Sequence, residues 1–221
     1  MGAGVMIDHS QIDQYHSLDG IPAMTSPQVH AYLTQLGRSW TGQGTAMELG
    51  CWLGASSVAL LRGLAQAGYN MPYWAFDAWN VNKDQIPKAK AQGCHLILGQ
   101  NSELMFLNNV RPVYSDIISC RGSLPATLTK YDNQPIEFCI FDAPKAEPTF
   151  TECIKRLSPH WIPGVTVLGL LDYHFYQRHK GAKRIKFRAP VDYMEKYGRH
   201  FEVEKKWDNE CAVFFRYLKN F

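Results

Sequence analysis

No stretch of this chain is apolar for long enough to cross a bilayer. The longest candidate, around 165–171, has Gly169 inside it, whereas a spanning helix needs about 20 apolar residues in succession. Residues 1–13 carry no basic stretch leading into an apolar one, so the chain reads as a soluble cytoplasmic protein rather than a secreted or membrane one. The six cysteines, at 51, 94, 120, 139, 153 and 211, include no CxxC pair, which argues against a zinc site or a disulfide framework. Cys139, Cys153 and Cys211 instead sit within apolar segments, where reduced thiols are buried. Charge is also scarce, at 19% of residues with a net +3, too little to mark a nucleic-acid binder. What is present is 46% hydrophobic residues over a length of 221, enough for one compact domain with a sizeable core.

The pattern along the chain is one of alternating helices and strands. Ser26-Pro27 supplies an N-cap followed by proline at the first helical position. Val29, Tyr32, Leu33 and Leu36 continue that helix to Gly37. Strands are expected over 45–49, 73–76, 113–118, 136–141 and 165–171. Helices are expected from Ser56 to Gly68, across 80–100, over 125–131 and 149–157, and from Pro190 to Gly198. Two alternating segments, 201–207 and 211–218, flank Asp208-Asn209 as a closing hairpin. This order predicts an α/β fold with one doubly wound, mostly parallel sheet, a C-terminal antiparallel hairpin and an N-terminal helical arm.

Ligands of such sheets bind beyond the carboxyl ends of the strands, and the strands here end in polar residues: Glu48 and Gly50, Asp77, Asp116, Asp142, Asp172. The first turn is the most distinctive, Glu48-Leu49-Gly50-Cys51-Trp52-Leu53-Gly54-Ala55-Ser56. Gly50 permits a sharp turn and close approach of a ligand. Gly54 lets the next helix pack closely, and Ser56 offers a hydroxyl at its N-terminus. The spacing is not the G-x-G-x-x-G of dinucleotide folds, and neither a P-loop nor a nucleophile elbow is present. A second concentration of chemistry is the run Arg178, Lys180, Lys183, Arg184, Lys186, Arg188, with no acid among them; it is either a solvated loop or an anion-facing one.

The first turn resembles motif I of class I S-adenosylmethionine-dependent methyltransferases, in particular the catechol and macrocin O-methyltransferase branch. Met24-Thr25-Ser26-Pro27 is similar to that branch's lead-in, and Tyr73-Trp74-Ala75-Phe76-Asp77-Ala78-Trp79 to its second strand. Phe138-Cys139-Ile140-Phe141-Asp142-Ala143-Pro144-Lys145 resembles the D-A-x-K strand. Pro163-Gly164, Leu171-Asp172-Tyr173 and Ala189-Pro190-Val191-Asp192-Tyr193 follow in the family's order. The resemblance implies an arm and lid helix over 1–43 and a cofactor-binding domain over 44–221.

It also implies roles. Asp77 would hold the ribose hydroxyls of S-adenosylmethionine, since a carboxylate accepts from two vicinal hydroxyls. Trp52 or Trp79 would stack on adenine, Ser115 and Asp116 would lie near its amino group, and the Glu48–Gly50 turn with Gly54 and Ser56 would receive the amino-acid end. Asp142 and Asp172 would bind a divalent cation such as Mg2+, Lys145 would act as base, and His174 would serve as third donor, base or surface residue. The family's acids next to Asp142 and Asp172 are replaced by Pro144 and Leu171, which weakens the metal site. The expected function is O-methylation of a small hydroxylated anionic metabolite or sugar, with the basic run facing it and no nucleic-acid or membrane partner; a homodimer is compatible. Two other readings stand beside it: a non-catalytic or repurposed cofactor-binding protein of the same fold, and an ordinary nicotinamide enzyme.

Overall fold

The computed structural model describes residues 16–220; the first fifteen residues of the arm and lid helix expected over 1–43 lie outside the described residues. Helix α1 spans Pro27–Arg38, strand β1 Thr45–Leu49, α2 Ala55–Gln66 and β2 Tyr73–Asp77. They are followed by α3 (Gln85–Ala91), α4 (Glu103–Val110), β3 (Ile117–Arg121), β4 (Ile136–Phe141) and α5 (Thr149–Leu157). The chain closes with β5 (Val167–Leu170), α6 (Gly181–Lys186), α7 (Ala189–Tyr197), β6 (Phe201–Lys206) and β7 (Val213–Tyr217). The seven strands form one sheet in the order β3-β2-β1-β4-β5-β7-β6. All neighbours run parallel except β7, which is antiparallel to both β5 and β6. The chain winds outward from β1 to β3 and then restarts at β4, so β1 and β4 flank the switch point at which such sheets bind ligands.

The strand interiors are apolar on both faces, as a parallel sheet covered by helices on both sides requires. Met47, Leu49, Phe76, Cys139, Phe141 and Leu168 pack beneath α5 and α7. Ala46, Tyr73, Ala75, Phe138, Ile140 and Val167 face α1, α2 and α4. The alternation of these sets along each strand is the period-2 geometry of extended backbone.

Helix α1 begins as its sequence specifies. The Ser26 side chain accepts from the Val29 N–H at 3.3 Å, and Pro27 occupies the first turn. It does not stop at Gly37 but continues to Arg38. A methyl group at Gly37 would lie 2.3 Å from the Leu60 carbonyl oxygen, and one at Gly63 only 2.1 Å from that of Thr34. The two glycines are therefore the contact at which α1 and α2 cross with backbones nearly touching, and the Thr34 hydroxyl donates across it to the Ala59 carbonyl at 2.8 Å.

Three other expectations shift. The helix expected across 80–100 is confined to α3, with turns on either side. The segment expected as helix over 125–131 is a 3-10 turn, Ala126–Lys130. The third strand starts at Ile117 rather than at Val113, because its register is set by pairing, Tyr73 opposite Ile117. None of the helices is long and apolar enough to cross a membrane among the described residues.

Candidate active site

A cavity of about 1000 Å3 opens along the carboxyl ends of the central strands. Its floor is formed by Gly50, Trp52 and Asp77 at one end, and by Asp142, Lys145 and Asp172 at the other. Residues 24–29, leading into α1, form one wall; Asn82 to Lys88 and the β6–β7 turn, 208–212, form others. Phe175, Arg178 and Phe187 close the side beyond β5.

Asp77 organises the first end. Its Oδ2 accepts from the Trp52 N–H at 2.8 Å and its Oδ1 from the Trp79 N–H at 2.7 Å. Both tryptophans have left-handed backbones, φ 44° and 42°, a conformation that costs a non-glycine residue roughly 1–2 kcal/mol. The carboxylate thus staples the β1 and β2 turns together. Burial pushes its pKa up, opposed by the N–H groups of Trp79, Trp52, Cys51 and Ala78. The two tryptophans then diverge. Trp52 lines the cavity, whereas Trp79 is 1% exposed, packs on Phe106 at 5.0 Å and donates its indole N–H to the Trp52 carbonyl. Trp79 is a core residue and cannot stack on a ligand in the cavity.

The glycines and polar groups of the first turn divide similarly. Gly50, at φ +98°, is required because a methyl there would meet the Ala143 backbone at 2.5 Å, so the close approach is to the β4 turn. Gly54, at φ +93°, admits Phe106 and Val110 of α4. Ser56 lies just behind the wall, its hydroxyl 3.2 Å from that of Thr25, which in turn meets His30 Nε2 at 2.6 Å. Glu48 is buried beneath α2, where Oε2 accepts from the Ser57 and Tyr73 hydroxyls while Oε1 has no partner. Burial raises its pKa from 4.5 to about 7, more than the two hydroxyls lower it.

At the other end, Lys145 Nζ forms an ion pair with Asp172 Oδ2 and stands 4.5 Å from the centre of the Phe175 ring. Burial draws the lysine pKa down, but Asp172 and Asp142 outweigh it and hold the ammonium above its ordinary value. Burial and then the Asp172 charge push Asp142 well up. Burial and then the Lys145 charge draw the pKa of Lys88, on the opposite wall, down, opposed by Asp172 and Asp142.

Several expected residues are not brought here. Ser115 and Asp116 precede β3, and the Asp116 carbonyl accepts from the Tyr73 N–H at the amino end of the sheet; they lie at the opposite edge from the cavity. His174 does not line the cavity: its ring packs on Tyr173 and Tyr176, its Nδ1 is buried without a partner, and burial lowers its pKa. Of the basic run only Arg178 lines the cavity; Lys183, Arg184 and Lys186 are exposed on α6, and Arg188 pairs with Asp192 and Glu195. No group of three or more His, Cys, Asp or Glu side chains among the described residues is arranged to hold a metal ion, so the Mg2+ expectation finds only Asp142 and Asp172, and Asp172 is already engaged by Lys145. That donor set does not fit a divalent ion. The walls formed by Asn82, Gln85, Lys88 and the β6–β7 turn were not expected, because nothing in their sequence marks them as part of a site.

No family model matches the chain, and no curated protein matches it. Solved structures do. The O-methyltransferase NovP is 17% identical, with a TM-score of 0.64 over 89% of this chain and 82% of that one. CalS11, a TDP-rhamnose 3'-O-methyltransferase of calicheamicin biosynthesis, is 15% identical, with a TM-score of 0.54 over 86% and 77%. The cofactor-bound Rv0187 from MTB is 15% identical, with a TM-score of 0.57 over 88% and 82%. The likeness shows the fold: a seven-stranded, mostly parallel Rossmann-like sheet shared with these O-methyltransferase structures.

Proposed function

We propose that this chain is an S-adenosylmethionine-dependent methyltransferase that methylates a hydroxyl of a small anionic acceptor. The observation that carries the reading is the single cavity running from Asp77 to the Lys145–Asp172 pair at the β1/β4 switch point. Its volume accommodates a nucleoside cofactor and a second small molecule together. Asp77 fits the nucleoside: it lines the cavity with its oxygens oriented by the Trp52 and Trp79 N–H groups, and a carboxylate can accept from two vicinal ribose hydroxyls. Trp52 flanks that position, and Thr25 and Ser56 lie close to the α2 N-terminus, which favours a carboxylate.

When bound, the cofactor supplies a methyl group on a positively charged sulfur, open to in-line displacement. The chain's residues must then align an acceptor hydroxyl and remove its proton. Lys145, kept protonated by two carboxylates, donates a hydrogen bond to the acceptor oxygen rather than serving as base. Asp142, which makes no ion pair among the described residues, is the proton acceptor in its ionised form, which the burial that raises its pKa makes the stronger base. Lys88 and Arg178 supply positive charge for an anionic group on the acceptor, such as a carboxylate, a phosphate or a nucleotide-linked sugar. Phe175 and Phe187, with ring centres 5.2 Å apart, give that side an apolar face.

Calorimetric titration with S-adenosylmethionine and with its demethylated product tests the reading. Binding of either, lost in Asp77→Ala, supports it; no binding of either at millimolar concentration refutes it. The second reading, a cofactor-binding protein without turnover, draws on Pro144 and Leu171 standing where the resembling family has acids. Release of the demethylated product during a screen of hydroxylated anions separates the two.

A further inference from the structure

Hard divalent cations take about six or more oxygen ligands, with carboxylates prominent among them. The carboxyl ends of β4 and β5 offer two, Asp142 and Asp172. The adjacent positions that could add oxygen donors are Pro144 and Leu171, and Leu171 is 3% exposed in the core. The next candidate donor, His174, packs against Tyr173 and Tyr176 outside the cavity. A cation nevertheless occupies this place. The Lys145 ammonium is bound to Asp172 and is fixed from a further side by the Phe175 ring at 4.5 Å. A second, doubly charged cation between the same carboxylates would meet the ammonium at short range and find too few oxygens.

We infer that Lys145 takes the position of a divalent cation in this site, so that methyl transfer proceeds without a metal. The inference rests on the methyltransferase reading above. In the step it describes, the acceptor oxygen donates a lone pair to the methyl carbon as the carbon–sulfur pair returns to sulfur. The hydroxyl proton passes to the Asp142 carboxylate, and the Lys145 ammonium offsets charge building on the oxygen. The products are the methyl ether, the neutral thioether and a protonated Asp142, and no oxidant or reductant is needed.

The test uses the full chain, stripped with EDTA, with Mn2+ followed by electron paramagnetic resonance as the metal probe. The Asp172→Asn variant is titrated in parallel, and calorimetry measures binding of the demethylated cofactor with and without EDTA. The expected result is no Mn2+ binding tighter than about 1 mM that depends on Asp172, together with cofactor-product affinity that EDTA leaves unchanged within twofold. A one-to-one Mn2+ complex in the micromolar range that Asp172→Asn abolishes overturns the inference. Failure of the demethylated cofactor to bind overturns the methyltransferase reading instead, because that measurement contains no metal. Circular dichroism of Asp172→Asn confirms that a lost signal does not come from unfolding.

Discussion

Glu48 offers the sharpest test of the electrostatics, because its acid lies wholly inside the protein beneath α2 with one oxygen unpartnered. Its pKa rises from 4.5 to about 7, chiefly through burial. Below about pH 4.5 both the folded and unfolded chains hold the proton, and the residue contributes nothing to pH dependence. Between 4.5 and 7 the unfolded chain releases the proton and the folded chain keeps it, so stability falls as pH rises, by about 1.4 kcal/mol per unit from this group. Above about pH 7 the full penalty, about 3 kcal/mol, is present. Glu48→Gln removes the titration while preserving the neutral form. Its carbonyl can accept from Ser57 and Tyr73 as Oε2 does, and its amide puts a donor where the protonated acid has one. The variant should match the parent in urea midpoint at pH 4 and exceed it at pH 8 by the equivalent of about 3 kcal/mol. Glu48 also raises Asp142, so the substitution relieves that site in the same direction. Other titrating groups are common to both proteins and cancel in the difference. An equal offset at every pH, or a parent that is the more stable at pH 8, would refute the argument.

The remaining expectations concern different parts of the molecule. Asp77→Asn removes one acceptor from the staple between Trp52 and Trp79; it should weaken cofactor binding at least about 10-fold and lower stability by about 1–3 kcal/mol, read by calorimetry and urea denaturation. Gly63→Ala places a methyl 2.1 Å from the Thr34 carbonyl oxygen and should cost about 1–3 kcal/mol or more by forcing α1 from α2; a variant as stable as the parent would show that the helices do not cross so closely. His30, buried and lowered from 6.5 to about 4 by burial, stays neutral while the unfolded chain takes a proton, so it removes stability as pH falls from 6.5 to 4. His30→Gln should flatten that limb of the stability profile, and an unchanged slope in urea midpoints would contradict the burial.

The parts of the fold legible in the sequence are those where a local pattern and the tertiary outcome coincide. Strand β4 is buried on both faces and reads as an unbroken apolar run ending at Asp142. The start of α1 is written in Ser26-Pro27. Strand β3 is an edge strand whose Ser119 and Arg121 are partly or fully exposed, so it lacks a hydrophobic signature and the apolar residues just before it mimic one. Asp116 consequently reads as a strand end, although pairing with β2 places it at a strand start, on the wrong edge for the cavity. Gly37 reads as a helix terminus for a related reason: a glycine that lets two helices touch is indistinguishable from one that ends a helix until the partner glycine is in place.

The same limit governs the site, and it bears on chemistry. Asp77, Asp142, Lys145 and Asp172 could be placed at one edge because each ends or closely follows a strand, and the sheet brings those ends together. Their roles depend on which charges become neighbours, which strand ends do not encode. Lys145 lies three positions beyond Asp142, a spacing consistent with a base next to a metal. Only the Asp172 contact across from β5 brings a carboxylate against the ammonium and raises its pKa, which disfavours a role as base. Trp52 and Trp79 share a left-handed backbone and a bond to the same carboxylate, yet one faces the cavity and the other fills the core beside Phe106. In this protein the backbone of the site follows from local sequence, whereas the electrostatics around Lys145 follow from contacts between the ends of β4 and β5. A single change such as Asp172→Asn should therefore alter the chemistry of Lys145 without moving the lysine from its place on the chain.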